Sequence, residues 1–472
     1  MTHPSILIYE DAGWRNFLPL VYMRATFQLR CGMFTLVDRI LSQASTDGYK
    51  RLLARSIGSE TPLSNKQSQL NGRVGLWCRS ALADLVEERT GIEVNRSRAE
   101  NQTLLLSGRG IWKSLPATNE DESSWVGVCG DDASIACIWL SDDFQQTISP
   151  QDLLDETRIR MLIGHLPRRD VSDCVELCKW PWDLVNANAK MLVEDGNQSW
   201  IGLGEHLGRV DTGAHLLNPS NIHLGKNSRV MPCVVIDAEQ GPVWIGEDVK
   251  IFPNTYIQGP AFIGDGSVLQ PSAVVRGGNT LGPVCKVGGE IEGSIIQSYS
   301  NKQHDGFLGH SYLGSWINIA ADCVNSDLKN TYGSVRVEIN GRKIDTGETF
   351  VGMFVGDYSK AGINVSFPTG SVVGFCSNVF APRSPKFVPS FAWINGDDFQ
   401  RYDAEKGLDL ARKVMARRKR VLSDAEEKVF RNVREQVLAL EHQPQRELEV
   451  RPTSFLNPLP TTDMFSSPSL QS

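Results

Sequence analysis

From Ile245 onward, branched aliphatic residues fall at every sixth position: Ile245, Ile251, Ile257, Ile263, Leu269, Val275, Leu281 and Val287. If about one residue in five is of this kind, eight such hits in a row have a chance probability on the order of one in a million. Four residues past each anchor stand Val249, Thr255, Ala261, Ser267, Ala273, Asn279, Cys285 and Ile291, mostly small, and glycine often follows the anchor (Gly246, Gly264, Gly282, Gly288). One inward aliphatic per short strand, a small residue in the corner and a turn former between strands predict a parallel β-helix with three strands per coil. Leu224, Val230 and Ile236 keep the phase upstream, which then slips by three at Ala238–Gly241, predicting a small loop. Val355, Ala361, Phe367, Val373 and Val379 resume it. The irregular, polar stretch 293–350 between them predicts an insertion leaving the stack on one face, often the binding face of a solenoid.

Residues 1–200 have no such period. Apolar runs at Ile6–Tyr9, Leu104–Leu106 and Ile135–Leu140 predict buried strands, and Ala81–Glu88 and Asp152–Ile163 predict helices. Their alternation argues for an α/β sheet domain. After Val379 comes the proline-rich link APRSPKFVPSFAW, and 404–442 is then helical. Ser423 with Glu426 forms a capping box that divides this stretch into two helices. The basic run Ala416–Arg420 at the end of the first helix reads as solvated surface compatible with the helix dipole. The predicted organisation is 1–205 sheet domain, 206–385 β-helix, 386–442 link and helical tail, and 443–472, rich in Pro, Ser, Gln and Thr, without regular structure.

The chain of 472 residues is too long for one core, and its 41% hydrophobic content excludes wholesale disorder. No window approaches the roughly 18 uninterrupted apolar residues of a membrane span. The start, MTHPSILIYED, reads as an opening strand, not a signal peptide. Forty-eight basic against 55 acidic side chains give a net charge of −7, which argues against nucleic acid as the main partner while leaving room for a local phosphate site. Ten scattered cysteines without a CxxC pair argue against a zinc ribbon and for reduced thiols in the cytoplasm. Cys174 and Cys178, four apart, have the spacing of one helix face. Residues 201–380 hold 27 of the 42 glycines, as a solenoid with many turns requires.

These residues carry a family resemblance. The hexapeptide block looks like the left-handed β-helix of acyltransferases, and Lys302–Gly333 (KQHDGFLGHSYLGSWINIAADCVNSDLKNTYG) is similar to the acetyltransferase half of the bifunctional bacterial enzyme making UDP-N-acetylglucosamine. The chain as a whole resembles bacterial sugar nucleotidyltransferase relatives of that enzyme, sharing NFLPLVYMRATFQLRCG (Asn16–Gly32), PWDLVNAN (Pro181–Asn188), the VGGE…SNKQHDGFLGHS stretch and KFVPSFAW. The resemblance implies an α/β nucleotidyltransferase-like (Rossmann-type) domain, a left-handed β-helix, acetyl-CoA as co-substrate, a homotrimer, and an amino sugar-1-phosphate acceptor with glucosamine-1-phosphate leading. Acetyl transfer to an amine needs a base, a group orienting it, and donors for the phosphate and oxyanion. Carried over by position, His304 is the base, Glu290 orients it, Arg276 holds the sugar phosphate, Asn318 contacts the sugar, and Lys302, Asn330 and Tyr332 line the acceptor site. His310 is a weaker rival, for which a corner or backbone role suffices.

Two positions depart from that pattern. Glu292 stands where a phosphate-binding lysine is expected, so that either Lys286 or Lys302 compensates or the acceptor differs; Met353 replaces a serine lining the acetyl-CoA channel, with Ser371 one coil above as the substitute contact. In the N-terminal domain the resemblance implies UTP and Mg²⁺, with Arg15, Arg24 and Arg30 as phosphate contacts and Asp183 and Asn186 at the metal. The first loop, Asp11-Ala12-Gly13-Trp14-Arg15, has one glycine, however, and LLLSGRG places Arg109 where a metal-binding acid belongs. Two alternatives stay open: nucleotidyl transfer alone with the β-helix as a trimerisation scaffold, or a non-catalytic nucleotide-sugar-binding protein. A β-helix zinc hydratase needs more histidines converging on one metal than His304 and His310.

Overall fold

The computed structural model describes residues 5–44, 50, 53, 74–96, 102–119, 121–396 and 398–441; the tail predicted at 443–472 lies outside them. A six-stranded mixed sheet opens the chain, in the order Val74–Trp77, Ser5–Tyr9, Thr103–Ser107, Ser134–Leu140, Trp125–Cys129, Arg168–Asp170. The first three strands run parallel, and Ser134–Leu140 is antiparallel to both of its neighbours. Leu104, Leu105 and Leu106 are all buried, as a central strand covered on both faces demands. The helix predicted at Ala81–Glu88 is a 3₁₀ turn leading into Ala83–Thr90, and the one at Asp152–Ile163 is two short helices, Pro150–Leu153 and Glu156–Ile163. Cys174 and Cys178 flank the strand Val175–Leu177 and share no helix face, a correction to the spacing argument: here the apolar alternation around Val175 prevails. All ten cysteines are free.

From Arg209 to Asn395 the chain winds as a parallel solenoid with three ladders of short strands. All eight anchors from Ile245 to Val287 are at most 1% exposed and belong to one core column, which also takes in Leu224, Val230, Ile236, Val355, Ala361, Phe367, Val373 and Val379. The phase slip at Ala238–Gly241 is a local enlargement of one coil. Ile236 still pairs with Ile257 and Ile245 with Ile263, so the ladders on either side of the loop run on unbroken.

The expectation that the stack is interrupted over 293–350 requires correction. Coiling continues through Ile295–Ile296, Asn301–Lys302, Phe307–Gly309, Tyr312–Leu313 and Asn318–Ile319. What changes is coil length. The ladder partners Leu281 and Ile296, and then Ile296 and Leu313, stand closer together in sequence than the regular partners Ile263 and Leu281. Shortened corners erase the period while preserving the ladder. The true excursion lies between Asn325 and Met353 and includes the hairpin Arg336–Ile339 with Arg342–Asp345; the ladders resume beyond it, with Leu313 pairing Val355, Ile319 pairing Ala361 and Asn325 pairing Phe367.

Glycine serves the solenoid chiefly through close approach. The left-handed corners three residues past an anchor are occupied by Asp248, Asn254, Gly266, Ser272 and Val284, mostly without glycine. At Gly282, directly after an anchor, a Cβ would lie 1.4 Å from the Gln297 carbonyl oxygen of the next coil.

The tail forms two helices, Ala404–Ala416 and Asp424–Leu440, the second opened by the Ser423–Glu426 box: Ser423 Oγ accepts from Glu426 N and Glu426 Oε2 from Ser423 N, each at 3.1 Å. Residues of the sheet domain, the outer face of the solenoid and the tail share one buried cluster; Phe17, Tyr22, Trp182, Phe262, Tyr312, Phe354, Leu408 and Phe430 all belong to it.

Candidate functional site

Two adjoining solenoid ladders carry the predicted acceptor residues. Val274–Val275, Glu290–Glu292 and Phe307–Gly309 stack in one; Lys286–Val287, Asn301–Lys302 and Asn318–Ile319 stack in the other. Residues 303–306 turn the corner between them, and His304 sits there, exposed, its Nε2 3.1 Å from Gln303 Nε2. Arg276, Glu290, His304 and Asn318 therefore fall on successive coils around this corner.

Within the chain, Glu290 is bonded to Arg276, and among the described residues no hydrogen bond joins Glu290 to His304. The Glu290 bond and charge raise the Arg276 guanidinium above its ordinary value. Glu292 follows Glu290 by two on the same outward face and adds to this negative field. Asn318 Oδ1 accepts from Asn301 Nδ2 at 3.3 Å.

Lys302 is 1% exposed and points inward: Nζ donates to the carbonyls of Gly288 (3.1 Å), His304 (2.5 Å) and Asp305 (3.0 Å). Burial pushes its ammonium down to about 8. In this position it staples the loop that presents His304 and offers nothing to an acceptor in solvent. His310 closes the opposite corner. Its Nδ1 lies 2.8 Å from Asp327 Oδ2, its ring is 5.2 Å from that of Phe350, and it covers Gly293, where a Cβ would meet the imidazole at 3.1 Å. The partner Asp327 was missed in the sequence, where its only signal was an acid within a polar insertion. Asn330 and Tyr332 lie on an exposed loop, Tyr332 73% exposed. Met353 and Ser371 are register partners one coil apart, both buried, and Ser371 Oγ donates to the Pro368 carbonyl at 2.6 Å.

The N-terminal arginines are dispersed. Arg15 is exposed, 5.2 Å above the Trp14 ring. Arg24 is buried and bridges to the solenoid, donating to Asp357 Oδ1 (2.9 Å), Ser315 Oγ (3.0 Å) and the Leu20 carbonyl (2.6 Å). Arg30 is buried too; its backbone N–H donates to Tyr312 Oη at 2.8 Å and its carbonyl accepts from the same hydroxyl at 3.1 Å. The Asn16–Gly32 motif is thus largely a docking segment. The PWDLVNAN helix, Pro181–Gly196, completes the dock: Asn188 accepts from Gly32 N (2.7 Å) and Thr280 Oγ1 (3.0 Å) and donates to the Gly278 carbonyl (2.8 Å).

Where the strands Ser5–Tyr9 and Thr103–Ser107 end, Arg109 Nε is bonded to both Asp11 oxygens (2.8 and 3.0 Å) and Nη1 to the Cys178 carbonyl (2.8 Å); Asp11 also accepts from Gly13 N at 2.9 Å. Asp183 caps its helix, one oxygen accepting from Lys179 N (2.7 Å) and Trp180 N (2.9 Å), and burial pushes its carboxyl up to about 6. Asn186 is exposed on that helix. Among the described residues no three His, Cys, Asp or Glu side chains gather as a metal ion would need. A single half-buried, helix-capping carboxyl with a neutral amide does not fit a magnesium ion, which calls for carboxylates free to ligate it.

Comparison with known proteins agrees with this architecture. Residues 6–199 match the family described as sugar nucleotidyl transferase, and 242–277 match bacterial transferase hexapeptide repeats. A bifunctional sugar-1-phosphate nucleotidylyltransferase/acetyltransferase of Sulfurisphaera tokodaii is 30% identical over 204 residues, 42% of this chain and 50% of the relative. The bifunctional protein GlmU of Methanococcus aeolicus is 34% identical over 180 residues, 38% of this chain and 42% of the relative. The chain thus spans about half the length of these relatives. It joins a sugar nucleotidyltransferase domain to a hexapeptide-repeat β-helix, both of transferase type. No helix among the described residues is long and apolar enough to cross a membrane.

Proposed function

We propose that the β-helix transfers an acetyl group from acetyl-CoA to the amine of an amino sugar-1-phosphate, with glucosamine-1-phosphate the leading acceptor. The product class is a precursor of UDP-N-acetylglucosamine, and the enzyme works in the cytoplasm as a homotrimer. The observation that carries this reading is the placement of Arg276, Glu290, His304 and Asn318 on successive coils around one corner, with the His304 loop fixed by Lys302. In the reaction His304 accepts a proton from the acceptor ammonium. The freed amine attacks the thioester carbonyl carbon, the C–N bond forms, the C–S bond breaks, and the coenzyme leaves as a thiol after taking up a proton. Imidazole is suited to this because one ring nitrogen can accept the proton while the other donates to an orienting carboxylate. Acceptor binding that engages Arg276 would release Glu290 to orient the imidazole. Purified protein is to be assayed for CoA release with acetyl-CoA and a panel of sugar-1-phosphates, with UTP and Mg²⁺ present or omitted. His304→Ala is expected to lower turnover by about 10²–10⁴-fold; unchanged turnover overturns the mechanism.

A second reading concerns the N-terminal domain. Residues 6–199 match the sugar nucleotidyl transferase family, and the activity proposed for them is transfer from UTP or another NTP. The Asp11–Arg109 pair and the docked Arg24 and Arg30 favour a domain that instead braces the solenoid. Pyrophosphate release from UTP and a sugar-1-phosphate, without acetyl-CoA, would decide for catalysis.

A further inference from the structure

The loop joining the two C-terminal helices does not stand free in solvent. The first helix ends in a left-handed turn at Lys419 (φ 55°), with Arg418 N and Arg420 N bonded to the Met415 carbonyl at 2.9 and 3.0 Å. This turn brings the basic run against the ladder next to the His304 corner. Arg418 Nη2 donates to Asn301 Oδ1 at 2.7 Å, and Asn301 Nδ2 donates onward to Asn318 Oδ1 at 3.3 Å. Arg420 lies over the Tyr299 ring at 5.9 Å. Lys286 precedes Asn301 in ladder register, and Lys360 follows Asn318.

The charges here are unbalanced. Among the described residues, Lys286, Arg417, Arg418, Lys419 and Arg420 form no ion pair, although the chain carries a net charge of −7. Burial, then Arg418 and Arg417, push the Lys286 ammonium below its ordinary range, and burial and Arg417 lower Arg418 likewise. Helix-dipole compatibility accounts for basic residues at a helix end. It does not account for Arg418 folding onto Asn301, or for the solenoid lysine that joins the cluster. On the other side of the His304 corner the reverse holds: Arg276 is already matched by Glu290, with Glu292 beside it.

The geometry points to an anion site in which Lys286, Arg417, Arg418 and Arg420 hold a phosphate of the ligand whose reacting end lies at His304. Which phosphate this is, the coenzyme's or the sugar's, rests on the acyl-transfer reading; the site itself does not. Arginine forks and an ammonium without carboxylate competitors suit phosphate oxygens, and the bond chain from Arg418 through Asn301 ties the site to Asn318.

Calorimetric titration of the full chain with inorganic pyrophosphate at low salt tests the site directly. Wild type is expected to bind, and both Lys286→Gln/Arg418→Gln and the surface pair Arg417→Gln/Arg420→Gln are expected to weaken binding by roughly tenfold or more. No binding by wild type, or wild-type binding by the two folded variants, overturns the proposal. His304→Ala is expected to keep pyrophosphate affinity, so a failure of the acetyltransferase reading would leave this result standing. In turnover, a rise in KM for acetyl-CoA alone assigns the site to the coenzyme phosphates. A rise for the amino sugar-1-phosphate alone assigns it to the acceptor. Both KM values unchanged while pyrophosphate binding falls would overturn its link to the His304 site.

Discussion

Arg24 offers the clearest separation of a docking role from a nucleotide-binding one. Its side chain is 5% exposed and that of its partner Asp357 2%, and the guanidinium makes three hydrogen bonds, two of them across the domain boundary to the Asp357 carboxylate and the Ser315 hydroxyl. Arg24→Met fills similar space but leaves Asp357 buried with no cation and only the Ser315 amide, at 2.6 Å, to stabilise its charge. Breaking a buried pair from one side costs about 3–5 kcal/mol. At about 2–4 °C per kcal/mol, this lowers the melting midpoint on the order of 10 °C. The double variant Arg24→Met/Asp357→Leu removes both charges and leaves mainly the Ser315 amide unpaired, a loss of about 1–2 kcal/mol. The double variant is therefore expected to be about 2–3 kcal/mol more stable than Arg24→Met alone. The assay is urea denaturation of the four proteins followed by tryptophan fluorescence, with UTP titration of each native state. If Arg24→Met keeps the wild-type midpoint and loses UTP binding, Arg24 is a phosphate ligand and the docking argument fails.

Two further outcomes follow from the solenoid. The folded-state value of Lys302 is about 8, below the ordinary lysine value of 10.5, so the folded protein holds this proton less tightly than the unfolded chain. The penalty is full below pH 8 and fades as pH rises toward 10.5. The stability of wild type minus that of Lys302→Met is expected to rise across this window; a flat difference refutes the burial argument. Gly282→Ala places a Cβ 1.4 Å from the Gln297 carbonyl and is expected to cost upward of ~3 kcal/mol. Gly266→Asn, at φ 67° with nothing nearer than 3.7 Å, is expected to cost less than ~1 kcal/mol, as compared by denaturation midpoints.

The solenoid was legible because each regular coil repeats one physical demand three times: an aliphatic inward, a small corner, a tight turn. It became illegible where corners shortened. Ile296, Leu308 and Leu313 are as buried as the periodic anchors, yet the shorter steps that separate them from their ladder partners Leu281, Ile291 and Ile296 conceal them. The site shows the same division. His304 and its neighbours were readable as a local string, but the Glu290–Arg276 pairing, the Asp327 partner of His310 and the inward turn of Lys302 depend on which coils lie adjacent. The basic run read as surface was legible only as charge; its seat on Asn301, far away in sequence, was not.

The arginine-rich opening motif shows most sharply why residue type alone misleads. An arginine suited to a phosphate is equally suited to a buried carboxylate, and Arg24 finds Asp357 near the other end of the solenoid. The same segment contributes Gly32 to the Asn188–Thr280 junction and Arg30 to the Tyr312 hydroxyl, while Asp11 and Arg109 neutralise each other at the strand ends. The Arg24, Asn188 and Arg30 bonds fasten the sheet domain to the outer face of the solenoid. Severing the chain just before Arg209 would bare Trp244, Phe262, Tyr312 and Phe354, all now at most 4% exposed. Each buries about 150–250 Å², so the exposed patch would exceed the roughly 300–600 Å² found on stable monomers. The solenoid face opposite the His304 corner therefore depends on the sheet domain for cover whether or not that domain also processes a nucleotide, and on the proposed reading loss of the dock should lower acyl transfer without touching His304.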